Sequence, residues 1–359
     1  MTAIRRLTVR AGAGRSVIWI GRGVISEAAR RLNSPSGRFL LIAPVGAAEA
    51  AGRVREALSG RVFGEFVLDD REESKTLATV ERIADAALAA GIRRDDAVVA
   101  VGGGVTSDVS GFAAAILLRG VTWNAVPTTT AAMADAAVGG KTGVDHARGK
   151  NLLGAFHPPA VILVDTSALE TLPEREHRSG LVEAFKAAWV ADAKLAAEAE
   201  RRLEGALARE ARAVTSIVVG ALRIKARLVA SDPRDAADRR LLNFGHTLGH
   251  AFEAAGGYAR LRHGEAVAWG IAGALQVSGA RAGLPAREAE RIRSVLARLG
   301  PFPEPDRSPE TLRPFLRLDK KGTSAGSSGV LLEGIGRGRI EADIPEDEWL
   351  EAAARARIG

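Results

Sequence analysis

Short apolar runs alternate with longer stretches in which apolar residues recur every three or four positions. "FLLIAPV" (39–45), "GEFVLDD" (64–70), "DAVVAVGGG" (96–104), "VTWNAVP" (121–127) and "VILVDT" (161–166) read as strands. Between them "AAEAAGRVREALS" (47–59) and "LATVERIADAALAAG" (77–91) carry helical periodicity. Strands separated by helices predict a parallel sheet covered on both faces. The opening "IRRLTVRAGAGRSVIWIG" (4–21) predicts a hairpin at its edge. From about residue 168 the pattern is Ala/Leu/Arg-rich and helical, until "SSGVLLEGIGRGRIEADIP" (327–345) predicts a terminal hairpin. The expected organisation is an α/β N-terminal domain over 1–167 and a mainly α-helical C-terminal domain over 168–359.

Composition narrows the function classes. Apolar residues make up 47% of the 359 residues and charged residues 26%, a globular balance. No apolar run approaches the ~20 residues of a membrane span, and "MTAIRRLTVR" has no hydrophobic signal core. Cysteine is absent, so there is no disulfide framework. The expected location is cytoplasmic. The net charge of +7 raises the question of nucleic acid. Its arginines are scattered among acidic residues and aromatics are only 4%, which argues against that partner and against a membrane. The excess charge suits a small anionic substrate instead.

Two stretches carry candidate chemistry. "VAVGGGVTSDVSGFAAA" (99–115) follows a strand and opens a helix. Consecutive glycines let a backbone approach a pyrophosphate, whose oxygens the helix N-terminal amides can meet. It is not the GxGxxG fingerprint, and a ligand-free turn is the plain alternative. "LLNFGHTLGHAFE" (241–253) places His246 and His250 on one helical face. They are either hydrogen-bonded core imidazoles or part of a metal or anion site.

The segment after the glycine turn decides between these readings. A Gly-Gly-Gly turn with Asp108 behind it is shared by the iron-containing polyol dehydrogenases and the dehydroquinate synthases. "RGVTWNAVPTTTAAMADAAVGGKTGVDHARGKNLLGAFHPPAVILVD" (119–165) resembles the most characteristic block of the 3-dehydroquinate synthase family. "SGLVEAFK" (179–186), "LLNFGHTLGHAFE" and "HGEAVAWG" (263–270) follow in family order, so the likeness covers nearly the whole chain. The chain departs from the family at "TAAMADAA" (130–137), at Arg71 where the family has glycine, and at "LIAPVGAA", which lacks an acid near the adenosine ribose.

What the resemblance implies is a Rossmann-like, NAD-binding first domain and a metal- and substrate-binding second one. The implied activity converts 3-deoxy-D-arabino-heptulosonate 7-phosphate to 3-dehydroquinate and phosphate in the shikimate pathway of aromatic amino-acid biosynthesis. It runs through transient NAD-dependent oxidation, phosphate elimination, re-reduction and intramolecular aldol closure. The implied metal ligands are Glu183, His246 and His263, a His₂-carboxylate set suited to Zn2+, with Co2+ also chemically admissible. The implied NAD contacts are Glu72, Lys75, Gly103, Gly104, Val105, Asp108, Thr128, Thr129, Lys141, Lys150, Thr171 and Leu172. Lys141, Lys150, Asn151, Arg239, Asn243, His250, Lys320 and Lys321 are the implied substrate contacts, with Arg239 and Asn243, four apart before His246, extending the same helical face. Arg119 would reach a neighbouring subunit's phosphate site, which makes a homodimer the expected assembly. Lys186, Lys225, Asp135, Asn151, Arg239 and His250 are the candidates for catalytic work. Other sugar-phosphate cyclases and metal-dependent polyol dehydrogenases are the alternatives to be tested.

Overall fold

The computed structural model describes residues 4–12, 14–235, 237–318 and 327–359. The first strands along the chain are β1 (Arg5–Ala11), β2 (Gly14–Ile20), β3 (Phe39–Pro44), β4 (Val62–Leu68), β5 (Ala97–Gly102), β6 (Thr122–Pro127), β7 (Lys141–His146), β8 (Gly149–Phe156) and β9 (Val161–Val164). Among the described residues seven of them form one sheet in the order β1-β2-β9-β6-β5-β3-β4. β1 joins antiparallel to β2, as the edge hairpin requires, and every other pair is parallel.

The burial follows from the residue pattern. Every residue of β5 and β9 is buried, as expected of strands covered on both faces. Phe39, Leu41, Val99 and Val101 pack with Val54 and Leu58 of the helix Ala48–Leu58. Their alternating neighbours Leu40, Ile42, Val98 and Ala100 are also buried, on the opposite face. The chain passes from β3 outward to β4, then returns past β3 to β5. That reversal makes the carboxyl ends of β3 and β5 a topological switch point, where open α/β sheets bind their ligands. The glycine turn stands at the end of β5.

A second, two-stranded sheet pairs β7 with β8 antiparallel, Thr142 opposite Ala155 and Val144 opposite Leu153. Periodicity did not predict this hairpin. "KTGVDHARGKNLLGAF" mixes glycine and charge into both strands, so no clean alternation survives.

The chain divides into two compact units, residues 1–173 with 209–234, and residues 174–208 with 235–359. The sequence texture placed one change of character at 168. In the structure the helix Ala211–Ser231 packs with the first unit, against β1. An amphipathic helix advertises its apolar face but not the unit that covers it.

The second unit is built around the helix His263–Arg281, buried almost throughout from Gly264 to Ser278. β10 (Ser327–Gly334) and β11 (Arg337–Ile344) form the predicted terminal hairpin, and the helix Glu346–Ala354 follows. Two glycines of the central helix set its contacts. A Cβ on Gly264 would lie 1.9 Å from the Ser179 carbonyl oxygen, and one on Gly270 would lie 1.9 Å from that of Gly245. No larger residue fits without moving backbone. Gly279, on the same helix, has nothing within 4 Å of such a Cβ.

These two environments predict effects of opposite sign. Gly270→Ala should lose about 1–3 kcal/mol through overpacking. Gly279→Ala should gain up to about 1 kcal/mol from helix propensity. Urea unfolding followed by tryptophan fluorescence measures both, and a stabilised Gly270→Ala variant would contradict the packing described.

Candidate active site

In the second unit three helices deliver three ligand-type side chains to one place. Glu183 lies on the helix Glu174–Ala191, while His246 and His263 each begin a helix, His246–Ala255 and His263–Arg281. The chain enters the first of these through Gly245 in the left-handed region, φ 80°. A Cβ at Gly245 would lie 2.6 Å from Ile271 Cγ1, so glycine permits both the turn and the close approach. The second helix start is fixed from outside and from within: Gly264 N donates to Ser179 Oγ at 3.0 Å, and Arg262 N to Glu265 Oε2 of the helix itself at 2.8 Å. Arg175 in turn holds the Glu265 carboxylate bidentately, at 2.6 and 2.7 Å. Ser179 sits one helical turn before Glu183, so the same contact that starts the helix at His263 brings that histidine to the carboxylate.

The resulting group has ligand atoms of Glu183, His246 and His263 all within 4.8 Å of one another. Lys186 Nζ donates to Glu183 Oε2 at 2.5 Å, with both residues buried. The other oxygen, Oε1, is buried and accepts no hydrogen bond. It lies 3.6 Å from His263 Nε2. Burial pushes the pKa of His246 well below the ordinary imidazole value, and Lys186, His263 and His250 push it the same way. A neutral imidazole with a free lone pair beside an unpaired carboxylate oxygen is the donor set a divalent cation requires. The residues therefore fit a metal. His250 lies one turn along the helix from His246, its ring 5.2 Å from that of His246 and 6.1 Å from that of His263.

The first unit gathers the other charged candidates. β5 ends at Gly102, and Gly103 caps the helix Gly104–Ile116 in extended conformation. Any Cβ on Gly102 would lie 2.3 Å from Thr106 Oγ1, and one on Gly103 would lie 3.2 Å from Thr129 Cγ2. The first amides of that helix have no intrahelical acceptor, which suits an anionic pyrophosphate. Thr128 N bonds to Gly102 O at 2.9 Å, and Thr129 Oγ1 accepts from Ala132 N at 3.2 Å. Thr129 thereby leads into a π-helical turn, Ala132–Ala136, that presents Asp135. Lys225, buried on the helix Ala211–Ser231, bonds to Asp135 Oδ1 at 2.6 Å and to its carbonyl at 2.5 Å.

Lys75 is the hub of the remaining charges. Its ammonium is buried, 2.6 Å from Asp108 Oδ2 and 2.5 Å from Asn151 Oδ1. Burial works against that charge, but Asp108, Glu72 and Asp145 outweigh it and raise the lysine's pKa. Asn151, at φ 56°, takes its backbone bond from N to Asp145 Oδ1 at 2.8 Å. Lys150 pairs with Glu72 at 3.0 Å.

Other candidates are placed without being gathered. Lys141 is exposed at the start of β7, and Arg119 is exposed with φ 68°. Thr171 is exposed and Leu172 half-buried in the turn after β9, where Leu172 O accepts from Arg209 at 2.5 Å. Val105 is half-buried in the first turn of the Gly104–Ile116 helix. Arg239 is buried and Asn243 exposed. The sequence placed these two on the helical face of His246. Instead they lie on a separate 3-10 turn, Asp238–Asn243, because Phe244 and left-handed Gly245 break the chain before His246. Lys320 and Lys321 lie outside the described residues. Two acids went unnoticed in the sequence. Asp145 ties the hairpin to Lys75, whose carbonyl takes the Asp145 amide at 2.8 Å. Glu253 Oε2 lies 3.2 Å from His263 Nδ1, and its spacing of seven from His246 was the signal available.

Comparison with known proteins shows the family. Residues 65–179 match the family model described as 3-dehydroquinate synthase N-terminal, and 180–322 match 3-dehydroquinate synthase C-terminal. A 3-dehydroquinate synthase of Geobacter metallireducens is 44% identical over 79% of this chain and 80% of its own length. Among solved structures, 2-epi-5-epi-valiolone synthase from Streptomyces hygroscopicus, with NAD+ and Zn2+ bound, superposes at TM-score 0.84 and 28% identity, covering 99% of this chain and 98% of its own. A 2-deoxy-scyllo-inosose synthase complexed with carbaglucose-6-phosphate, NAD+ and Co2+ shares the fold at TM-score 0.85 and 22% identity, covering 98% and 100% of the two chains.

The Lys75 pairing predicts strong non-additivity. Removing one partner of a buried ion pair leaves the other charge uncompensated, so Lys75→Met should cost about 3–5 kcal/mol. Adding Asp108→Asn should restore much of that loss. Denaturant unfolding of the two single variants and the double variant measures the coupling, and additive losses would contradict the arrangement.

Proposed function

This chain belongs to the 3-dehydroquinate synthase family, and we propose that Glu183, His246 and His263 hold its divalent metal as zinc, with NAD on the turn Gly102–Gly104. The activity is that of a phosphate-eliminating lyase, converting 3-deoxy-D-arabino-heptulosonate 7-phosphate to 3-dehydroquinate and phosphate in the shikimate pathway. The metal assignment is carried by one observation, the buried Glu183 Oε1 that accepts no hydrogen bond beside two imidazoles. Bound in these places, NAD supplies a reversible hydride acceptor and the metal a Lewis acid.

The chain's own residues supply the rest. Lys186 neutralises part of the Glu183 charge and holds that carboxylate in one rotamer. Lys225 orients Asp135, leaving it a candidate for relaying a proton or ordering a substrate hydroxyl. Glu72, Lys75, Val105, Asp108, Thr128, Thr129, Thr171 and Leu172 are the further proposed nucleotide contacts. Lys141, Lys150, Asn151, Arg239, Asn243 and His250 are the substrate contacts; fixed cations hold a doubly anionic sugar phosphate through elimination and ring closure. Arg119 is exposed on a left-handed turn, and the proposed working unit is a homodimer in which it would reach the second copy's phosphate site. Among the described residues no helix is long and apolar enough to cross a membrane, and the cytoplasm is the proposed location. The domain roles are an NAD-binding α/β domain and a metal- and substrate-binding helical one.

Two measurements test this reading. With NAD+ and metal, phosphate should be released from the heptulosonate without accumulating NADH absorbance, and sedoheptulose 7-phosphate should react far more slowly. One NADH per product would indicate a dehydrogenase, and preference for sedoheptulose 7-phosphate would indicate another cyclase. Lys141→Ala should weaken substrate binding about ten- to a hundred-fold, more than it weakens NAD+ binding, as loss of a charge-assisted contact implies. Calorimetric titration reads both affinities, and an unchanged substrate affinity would remove Lys141 from the clamp.

A further inference from the structure

We propose that Glu253 is a positioning residue for the metal centre, fixing the tautomer of His263 so that Nε2 keeps its lone pair toward Glu183. The inference rests on the metal reading above.

The helix His246–Ala255 carries His246, His250 and Glu253 at spacings of four and three, which puts all of them on one face. Glu253 is buried, an unusual place for a carboxylate without a task. The two nitrogens of the His263 ring address different carboxylates. Nε2 lies 3.6 Å from Glu183 Oε1, and Nδ1 lies 3.2 Å from Glu253 Oε2 in hydrogen-bonding geometry. A neutral imidazole has one proton and one lone pair to distribute. A carboxylate can only accept, so Glu253 draws the proton to Nδ1 and leaves the Nε2 lone pair facing Glu183 Oε1. Without Glu253 the opposite tautomer would be stabilised, its Nε2–H donating to Glu183 Oε1 and closing the site to a cation. Carboxylates placed in this way behind ligating histidines raise ligand basicity and hold the ring.

A competing arrangement uses the same atoms. His250, Glu253 and His263 also bring ligand atoms within 4.8 Å of one another, and there Glu253 would itself be a ligand. There a Glu253 oxygen would meet the cation and not the His263 Nδ1 proton. The Glu183 group is favoured because Oε1 of Glu183 is buried and accepts no hydrogen bond, which leaves it open to a cation.

The test uses the full-length, zinc-loaded protein and its Glu253→Gln variant. Chelator competition should show zinc held about 10–100-fold more weakly in the variant. The chelator-treated variant should melt with the chelator-treated wild type, and Co2+-substituted samples of both should show the same ligand-field bands. In wild type labelled with 15N-histidine, long-range 1H–15N spectra should place the His263 proton on Nδ1 and zinc on Nε2. That last measurement decides the matter even if the variant does not fold. Unchanged zinc affinity, bands showing a lost ligand, or zinc on Nδ1 would each overturn the role given to Glu253. A wild-type protein that binds no zinc would overturn the metal reading itself.

Discussion

A buried carboxylate oxygen with no donor, set among imidazoles, is costly unless a cation completes it. An unsatisfied buried acceptor costs about 1–3 kcal/mol, and more when it is charged. The second unit is organised to hold Glu183 in that condition. Lys186 takes one oxygen and leaves the other bare. Gly264 lets the helix His263–Arg281 touch the Ser179 backbone, and Gly270 lets it touch Gly245. Replace either contact and the histidines at the starts of the two helices shift away from Glu183. The approach of Glu183, His246 and His263 is therefore a consequence of helix packing, with glycine setting the distances.

The first unit meets the opposite demand, because it must present cations without losing them to burial. Lys75 and Lys225 are both deeply buried, and each is answered by a carboxylate within 2.6 Å. Such pairing holds each ammonium in one rotamer, and at Lys75 the neighbouring carboxylates outweigh burial and favour the charged form. Under the proposed function little reorganisation then remains for the moment of reaction, which is the advantage of preorganised charge. Asp145 and Asn151 extend the arrangement into the β7–β8 hairpin, so the strand that carries Lys150 is tied to Lys75.

Much of this was legible beforehand, for identifiable reasons. Buried strands such as β5 and β9 are continuous apolar runs, and the glycine turn after β5 marks its own position at the switch point. The trio of Glu183, His246 and His263 came from motif resemblance; spacing alone left His246 and His250 open to a core reading. The β7–β8 hairpin was hidden because glycine and charge break its alternation. Arg239 and Asn243 were misplaced because a helical reading ran through Phe244 and Gly245, whose backbone ends one element before the next begins. Glu253 and Asp145 were missed for a simpler reason. Their partners, His263 and Lys75, are distant in sequence or on another element, and only the fold supplies the pairing.

The central claim is that Glu183, His246 and His263 together form a metal centre, and the local environment of the bound metal tests it most directly. X-ray absorption at the zinc edge of the zinc-loaded protein should show imidazole scattering from two histidines and a light oxygen donor at about 2.0–2.2 Å. In Glu183→Gln the same measurement should show weakened binding and an altered oxygen shell. Zinc bound with no imidazole signature, or an unchanged spectrum in Glu183→Gln, would contradict the account.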